Sequence, residues 1–394
     1  MQFLNGIRIY SASDLIHFLA CRHHTFLDII DLQSPLSKAE SDPEAELLQE
    51  KGEEHEKAYL QKLKSNGHQV LEIPSSGLLL DRTKATRNAM ISGVEVIYQA
   101  ALLDSSWHAY ADFLKRIETP SDFGNFSYEV IDTKLSRSPT SKHIIQLCVY
   151  SDLLAKVQGF FPHLMHLVLG DGRDVSFRVD DFHFYYRNLK KQFETFSQSP
   201  PEGSYPEPCA SCDLCRWKEL CARRWEEDDH LSLVANIRRN QIQHLREAGI
   251  PTVRKLAELP EDHLISHISQ ETLERLRHQA VLQVRKRDTG KDQVEILPKE
   301  GGRGFARIPK PDPGDLFFDI EGDPLFPDGL EYLFGVYGVD HAEAWYRSLW
   351  GHDHEEEMLS FETLLDFFAE HLANHPEAHI YHYNHYEPTA LKRL

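Results

Sequence analysis

The stretch Tyr128-Glu129-Val130-Ile131-Asp132-Thr133-Lys134 decides how the first half of this chain is read. Its aromatic and β-branched residues mark a strand. Strand side chains alternate between faces, so Asp132 and Lys134, two apart, share one face. A carboxylate and an ammonium on an otherwise apolar strand are costly to bury unless a metal ion or a partner uses them. Glu129 lies at odd spacing from Asp132 and is expected to face the other way.

Immediately upstream, Tyr110-Ala111-Asp112-Phe113-Leu114 again sets one acid among apolar residues. Two carboxylates on adjacent strands suit Mg²⁺ or Mn²⁺, which favour oxygen ligands. Such an ion lowers the pKa of bound water and offsets charge on a scissile phosphate, while Lys134 would orient the water and stabilise the transition state. A charged helix over about 44–64 carries Gly52-Glu53-Glu54-His55, and His55 would complete the metal shell. Downstream, Gln146 and Tyr150 stand one helical turn apart on one face. The plainer reading of Asp-x-Lys is a salt bridge of Lys134 with Asp112 or Asp132.

Periodicity around these residues predicts an α/β unit: strands at 69–73, 94–103, 107–117, 126–135, 163–169 and 175–179, with helices at 82–92, 142–156 and on to about 196. A loop at 197–208 delivers the chain to Cys212-x2-Cys215-x5-Cys221. Cys21 lies far upstream in a segment that reads as helical after the start signal Ser11-Ala12-Ser13-Asp14. This spacing is too tight for ordinary core packing; four gathered thiolates hold a metal centre that clasps the ends of a domain. Zinc on Cys209, Cys212, Cys215 and Cys221 is one solution, and an iron–sulfur cluster that includes Cys21 is the other.

In this order, G-x-x-H, D-F-L, I-D-T-K and Q-x-x-x-Y across residues 52–150 resemble the RecB-type branch of the PD-(D/E)XK nucleases. The resemblance implies a restriction-endonuclease-like fold, with His55, Asp112 and Asp132 as Mg²⁺ or Mn²⁺ ligands and Lys134 as the catalytic lysine. Gln146 and Tyr150 would position substrate or the lysine. The cysteines are similar to the [4Fe–4S] staple of the AddB and CRISPR-associated members, which implies Cys21, Cys212, Cys215 and Cys221 as ligands and leaves Cys209 spare.

The net charge of −19 argues against a nucleic-acid partner until it is divided along the chain. Residues 1–230 carry 25 basic against 34 acidic side chains, 231–310 carry 15 against 10, and 311–394 carry 3 against 18. Only the middle block offers phosphates a general electrostatic footprint. Within it, Leu245-Arg246-Glu247-Ala248-Gly249-Ile250-Pro251-Thr252 resembles a helix-hairpin-helix element, with Arg238, Arg239, Arg246, Gly249, Arg254 and Lys255 as its DNA-facing residues. A polar helical spacer is the alternative.

Beyond a Gly-, Pro- and Lys-rich linker at 299–314, Phe317-Phe318-Asp319-Ile320-Glu321 begins a second α/β unit with Asp319 and Glu321 on one strand face. Further strands are expected at 332–339, 343–349 and 379–383, with helices at 355–373 and from 387. The paired acids resemble the first motif of the ribonuclease H-like DEDD exonucleases, and His382 to Glu387 resembles the second, with Glu387 where Asp is usual. Asp319, Glu321 and Glu387 would form a second metal site in a domain that ends early.

The expected organisation is therefore a nuclease domain at 1–228, a small all-α hairpin region at 229–298, the linker, and a partial ribonuclease H-like domain at 315–394. The whole order is similar to a family of RecB-like putative nucleases whose longer members continue into a superfamily 1 helicase. No Walker A sequence occurs here, so a motor would be a further domain or a partner subunit. No run approaches the roughly 18 apolar residues of a membrane span, and the N-terminus lacks a signal-peptide pattern. A cytoplasmic, divalent-metal-dependent DNA nuclease of exonuclease type, in repair or processing, is the expectation. A non-catalytic nucleic-acid-binding scaffold, or an interaction module of a helicase–nuclease or CRISPR-linked assembly, is the rival.

Overall fold

The computed structural model describes residues 1–40, 43–340 and 343–394. The chain forms two compact units, Met1–Val294 and Glu295–Leu394. A hairpin of β1 (Gln2–Leu4) and β2 (Ile7–Ile9) opens the first unit, followed by helices α1 (Ala12–Ala20), α2 (Arg22–Asp31) and α3 (Pro43–Ser65). Next come β3 (Val70–Glu72), α4 (Leu79–Ile91), β4 (Val96–Asp104), β5 (Trp107–Ile117), β6 (Ser127–Thr133) and α5 (Ser141–Gln158). The unit continues with β7 (Leu164–Val168), β8 (Asp174–Arg178), α6 (Val179–Gln198) and α7 (Lys218–Glu227).

Strands β3 to β8 make one mixed sheet in sequence order. The β3–β4 and β6–β7 pairs are parallel and the other three are antiparallel. Alternation along β6 separates two apolar layers. Val130 belongs to one apolar cluster with Leu15 and Phe18 of α1, Met90 of α4, Leu147 of α5 and Phe193 of α6. Its neighbour Ile131 packs with Tyr59, Leu60 and Leu63 of α3. Residues of β6 are therefore buried from both faces, and any charged group among them sits in low dielectric. Helix α5 is fixed at both ends: Thr140 caps its first turn, and Gly159 closes it with φ +67, where a Cβ would strike the Asp122 carboxylate.

Cys21 is not inside a helix, contrary to the sequence expectation. It sits at the break between α1 and α2 in extended conformation, φ −156 and ψ 111. Its N–H still bonds to the His17 carbonyl at 2.8 Å, so apolar periodicity runs through the break and conceals it. The β1–β2 hairpin, α2 and α7 were also not expected; each is short, and α2 and α7 are rich in polar residues.

Helices α8 (Arg239–Glu247), α9 (Val253–Ala257) and α10 (Gln270–Thr289) complete the first unit around a core of Leu231, Leu245, Val253, Leu256 and Leu276. The second unit contains β9 (Leu316–Asp323), β10 (Leu330–Asp340), β11 (Glu343–Trp350), α11 (His354–Asn374), β12 (Ile380–Tyr381) and α12 (Tyr386–Arg393). Its sheet order is β11-β10-β9-β12, antiparallel except for the last pair. Leu364 and Phe368 of α11 and Ala390 of α12 cover the face that carries Leu316, Phe318 and Ile320. Each unit contains a sheet with helices, a mixed α/β architecture. Among the described residues no helix is long and apolar enough to cross a membrane.

Candidate metal centres

The β5–β6 ladder runs from Ile117↔Ser127 to Phe113↔Ile131 and stops there. One pair beyond its end stand Asp112 and Asp132. Asp112 Oδ2 accepts from the Thr133 N–H at 2.7 Å and from the Thr133 hydroxyl at 2.8 Å, so a side chain replaces the missing backbone acceptor. On the other edge of β5, the register passes from Tyr98↔Phe113 to Ala100↔Ala111, and the omitted Gln99 has φ +55. Regular pairing of β5 is thus interrupted on both sides at Asp112, while β6 stays in register with β7 through Thr133↔Val168. The sheet opens where both acids stand.

Asp132 is fully buried. Its Oδ2 is 2.5 Å from Lys134 Nζ, and its Oδ1 accepts from Gln146 Nε2 at 3.4 Å. Gln146 Nε2 also donates to the Tyr150 hydroxyl at 2.6 Å. Burial, then the charge of Asp112, raises the Asp132 pKa, while Lys134 pulls the other way. Burial tends to lower the Lys134 pKa, but Asp132 and Asp112 outweigh it and hold the ammonium charged. Tyr150 lies well above its ordinary value because it is buried and faces Asp132. The structure thus brings Asp112, Asp132, Lys134, Gln146 and Tyr150 together. Glu129 is engaged elsewhere, accepting from Leu164 N–H and His166 Nε2, each at 3.0 Å.

Sequence reasoning missed Glu56. It is hydrogen-bonded to the Gln99 side chain. Burial and then Asp112 raise its pKa, with Lys134 acting in the opposite direction. The signal was helical spacing: Glu56 precedes Tyr59, Leu60 and Leu63 on the face of α3 that meets the sheet. Its neighbour His55 has a buried Nε2 without a hydrogen-bond partner. Three carboxylates, Glu56, Asp112 and Asp132, therefore act on one ammonium. Among the described residues these three carboxylates do not bring one oxygen each within 4.8 Å of one another; as oxygen donors gathered near one ammonium they suit a hard divalent cation, which would draw them inward.

The cysteines gather around a second feature, a cavity of about 550 Å³ lined by Cys21, Cys209, Cys212, Cys215 and Cys221. All are free thiols. Burial raises Cys21 and Cys215, pushes Cys212 up to about 11 and Cys221 up to about 12, and the neighbouring cysteines add to each shift. Without a cation these groups stay protonated; a bound metal would hold them as thiolates. Cys209 Sγ lies 3.8 Å from Cys212 Sγ, within the same group of cysteines.

Beside the cysteines is a group that sequence reasoning did not single out. His17, His24 and Asp28 place one ligand atom each within 4.8 Å of one another, a set able to coordinate a single metal ion. Burial is the main cause that keeps both imidazoles below their ordinary value, His24 down to about 4, so both are neutral at pH 7.

In the helical region, Gly249 has φ +81 at the exposed turn between α8 and α9, and Thr252 Oγ1 accepts from Lys255 N–H at 3.2 Å to cap α9. Arg238, Arg239 and Lys255 are exposed. Arg246 pairs with Glu207 at 2.9 Å and Arg254 with Asp288 at 2.7 Å, so part of the basic charge is already matched on the surface.

In the second unit, Asp319 and Glu321 stand on the exposed face of β9. Glu387 is buried on α12, and its Oε2 lies 3.4 Å from His382 Nδ1. Among the described residues these three acids do not bring their oxygens within 4.8 Å of one another. Other His–carboxylate pairs here are Asp315 with His379 at 3.2 Å and His354 with Glu357 at 2.9 Å. This supply of acids and imidazoles is consistent with a metal-binding, nuclease-like site.

Residues 316–394 match a family model described as the RNase_H superfamily. The match covers the four-stranded sheet and both helices of the second unit, which is an RNase H-like domain. No curated protein matches the chain. The class defined here is a protein with a nucleic-acid-associated fold in its C-terminal unit.

Proposed function

We propose that the first unit is a divalent-metal-dependent nuclease of the RecB-like PD-(D/E)XK type, hydrolysing phosphodiester bonds in DNA. The observation that carries this reading is the set of three carboxylates, Glu56, Asp112 and Asp132, facing Lys134 where the sheet opens between β5 and β6. Asp112 and Asp132, with Glu56 or His55 from α3, would hold Mg²⁺ or Mn²⁺. Bound there, the ion supplies an activated water and charge neutralisation at the phosphate. Lys134 keeps its proton and can stabilise negative charge on the reacting phosphate. Gln146 keeps Asp132 oriented while its second N–H holds Tyr150.

A metal centre on the cysteines would clasp α1 and α2 to the 209–221 segment. We favour a [4Fe–4S] cluster over zinc. Thiolates around a single zinc stand about 3.8 Å apart, from Zn–S bonds of about 2.3 Å. Cys209 and Cys212 match that spacing at 3.8 Å, but among the described residues no three thiols lie within 4.8 Å of one another, whereas a four-iron core needs wider spacing. The helical region would bind backbone phosphates, and a helicase domain or subunit would deliver the strand.

The test is cleavage of end-labelled single- and double-stranded DNA by anaerobically purified full chain with Mg²⁺ or Mn²⁺, beside Lys134→Ala and Asp132→Ala. Both variants should stay folded and lose at least about 100-fold in rate, the scale of removing one transition-state donor. A soluble, fully active Lys134→Ala protein would falsify the assignment. A cluster-loaded wild type that binds DNA without cutting it would favour a binding scaffold.

A further inference from the structure

We propose that His17, His24 and Asp28 form a separate mononuclear site for a borderline divalent cation of the zinc class, which locks α1 to α2 across the Cys21 break. The inference rests on neither the nuclease reading nor the identity of the group that the cysteines hold.

Three polar atoms at this one place are buried without a hydrogen-bond partner: His17 Nδ1, His24 Nε2 and Asp28 Oδ2. His24 and Asp28 are 8% and 3% exposed, so water does not satisfy them from bulk. Leaving a buried polar atom unsatisfied is costly, and three together call for a common partner. The donors are two imidazoles and a carboxylate, a set that suits zinc and its neighbours better than Mg²⁺ or Ca²⁺.

The remaining side-chain polar atoms of Asp28 and His24 already have partners, which narrows where the ion can go. Asp28 Oδ1 accepts from Arg216 Nη2 at 2.6 Å and from Trp217 Nε1 at 2.8 Å, leaving Oδ2 available. His24 Nδ1 is 3.4 Å from Cys215 Sγ, which directs Nε2 toward Asp28, 3.5 Å from its Oδ1. Two ligands on one tetrahedral zinc stand about 3.3–3.5 Å apart, given bonds of about 2.0–2.1 Å, and these side chains place one ligand atom each within 4.8 Å of one another, so binding draws them closer. His17 stacks on His24 with ring centroids 4.1 Å apart, and binding requires its ring to tilt so that Nδ1 reaches the same ion.

His17 and His24 line the same cavity as the cysteines, but their site differs in ligand chemistry, and that difference gives the test. Cobalt(II) bound by nitrogen and oxygen shows visible d–d bands without the intense near-ultraviolet charge transfer that thiolate ligation produces. The full-length chain is produced in cobalt-supplemented minimal medium and compared with His17→Gln and with His17→Phe, which keeps the ring stack. Wild type should carry one cobalt with nitrogen–oxygen bands. Both variants should lose that equivalent and keep the same thiolate-bound metal and iron content. A wild type without such a cobalt overturns the proposal, as does a folded variant that retains it. The wild-type measurement stands even if a variant fails to fold.

Discussion

Asp112 accepts both the backbone N–H and the hydroxyl of Thr133, at 2.7 and 2.8 Å, immediately beyond the last paired residues of β5 and β6. One carboxylate oxygen thus ends the ladder, and the other can serve a cation. Thr133→Val keeps the shape and the N–H bond but deletes the hydroxyl donor. Stability should fall by about 1 kcal/mol, the net value of a typical hydrogen bond. Urea unfolding measures that loss, and metal affinity should weaken as Asp112 is freed to rotate.

Stability without added metal should depend on pH through Asp132. Burial and the charge of Asp112 raise its folded pKa above the ordinary carboxylate value of 3.8. The folded state therefore holds a proton that the unfolded chain has released. The associated stability is full below about pH 4 and declines as pH rises through the raised folded value. Subtracting the pH profile of Asp132→Asn, which cannot titrate, isolates this contribution. Adding Mn²⁺ within that window should release protons and raise the melting temperature. Identical slopes for the wild type and Asp132→Asn would refute the burial argument.

Cys215→Ser should remove most of the bound metal and lower the melting temperature, because Cys215 joins the 209–221 segment to His24 on α2. Cys209→Ser is the sharper comparison. With a [4Fe–4S] cluster on Cys21, Cys212, Cys215 and Cys221, iron content survives this change. With zinc on the local four cysteines, metal is lost. Iron, sulfide and zinc analysis of the two variants separates the alternatives.

Replacing Arg238, Arg239 and Lys255 by alanine should weaken DNA binding about equally for all sequences. If each contacts one phosphate, the slope of log K against log salt should drop by about 3 × 0.9. Fluorescence anisotropy across a salt series reads this directly. An unchanged slope would mean that this surface does not meet the backbone.

The sequence by itself determined the six-stranded sheet with its main helices and the elements of the second unit, because burial imposes periods of 2 and 3.6 that survive in the residue order. The β5 strand falls on its expected bounds, and α5 differs from expectation by one or two residues at each end. Asp112, Asp132, Lys134, Gln146 and Tyr150 were legible for the same reason: charged or amide groups on apolar elements stand out. The break at Cys21 was not legible, since the helix-like spacing of apolar residues continues across it.

Only the tertiary structure decided which charges meet. Glu56 approaches the acids because α3 docks on the Ile131 face of the sheet and Gln99 holds its carboxylate. His24 and Cys215 are 191 residues apart and touch only when the cysteine loop returns to α2. Side-chain chemistry is local and can be read in order along a chain. The encounter of distant polar groups depends on packing, and a single sequence contains no period that records it.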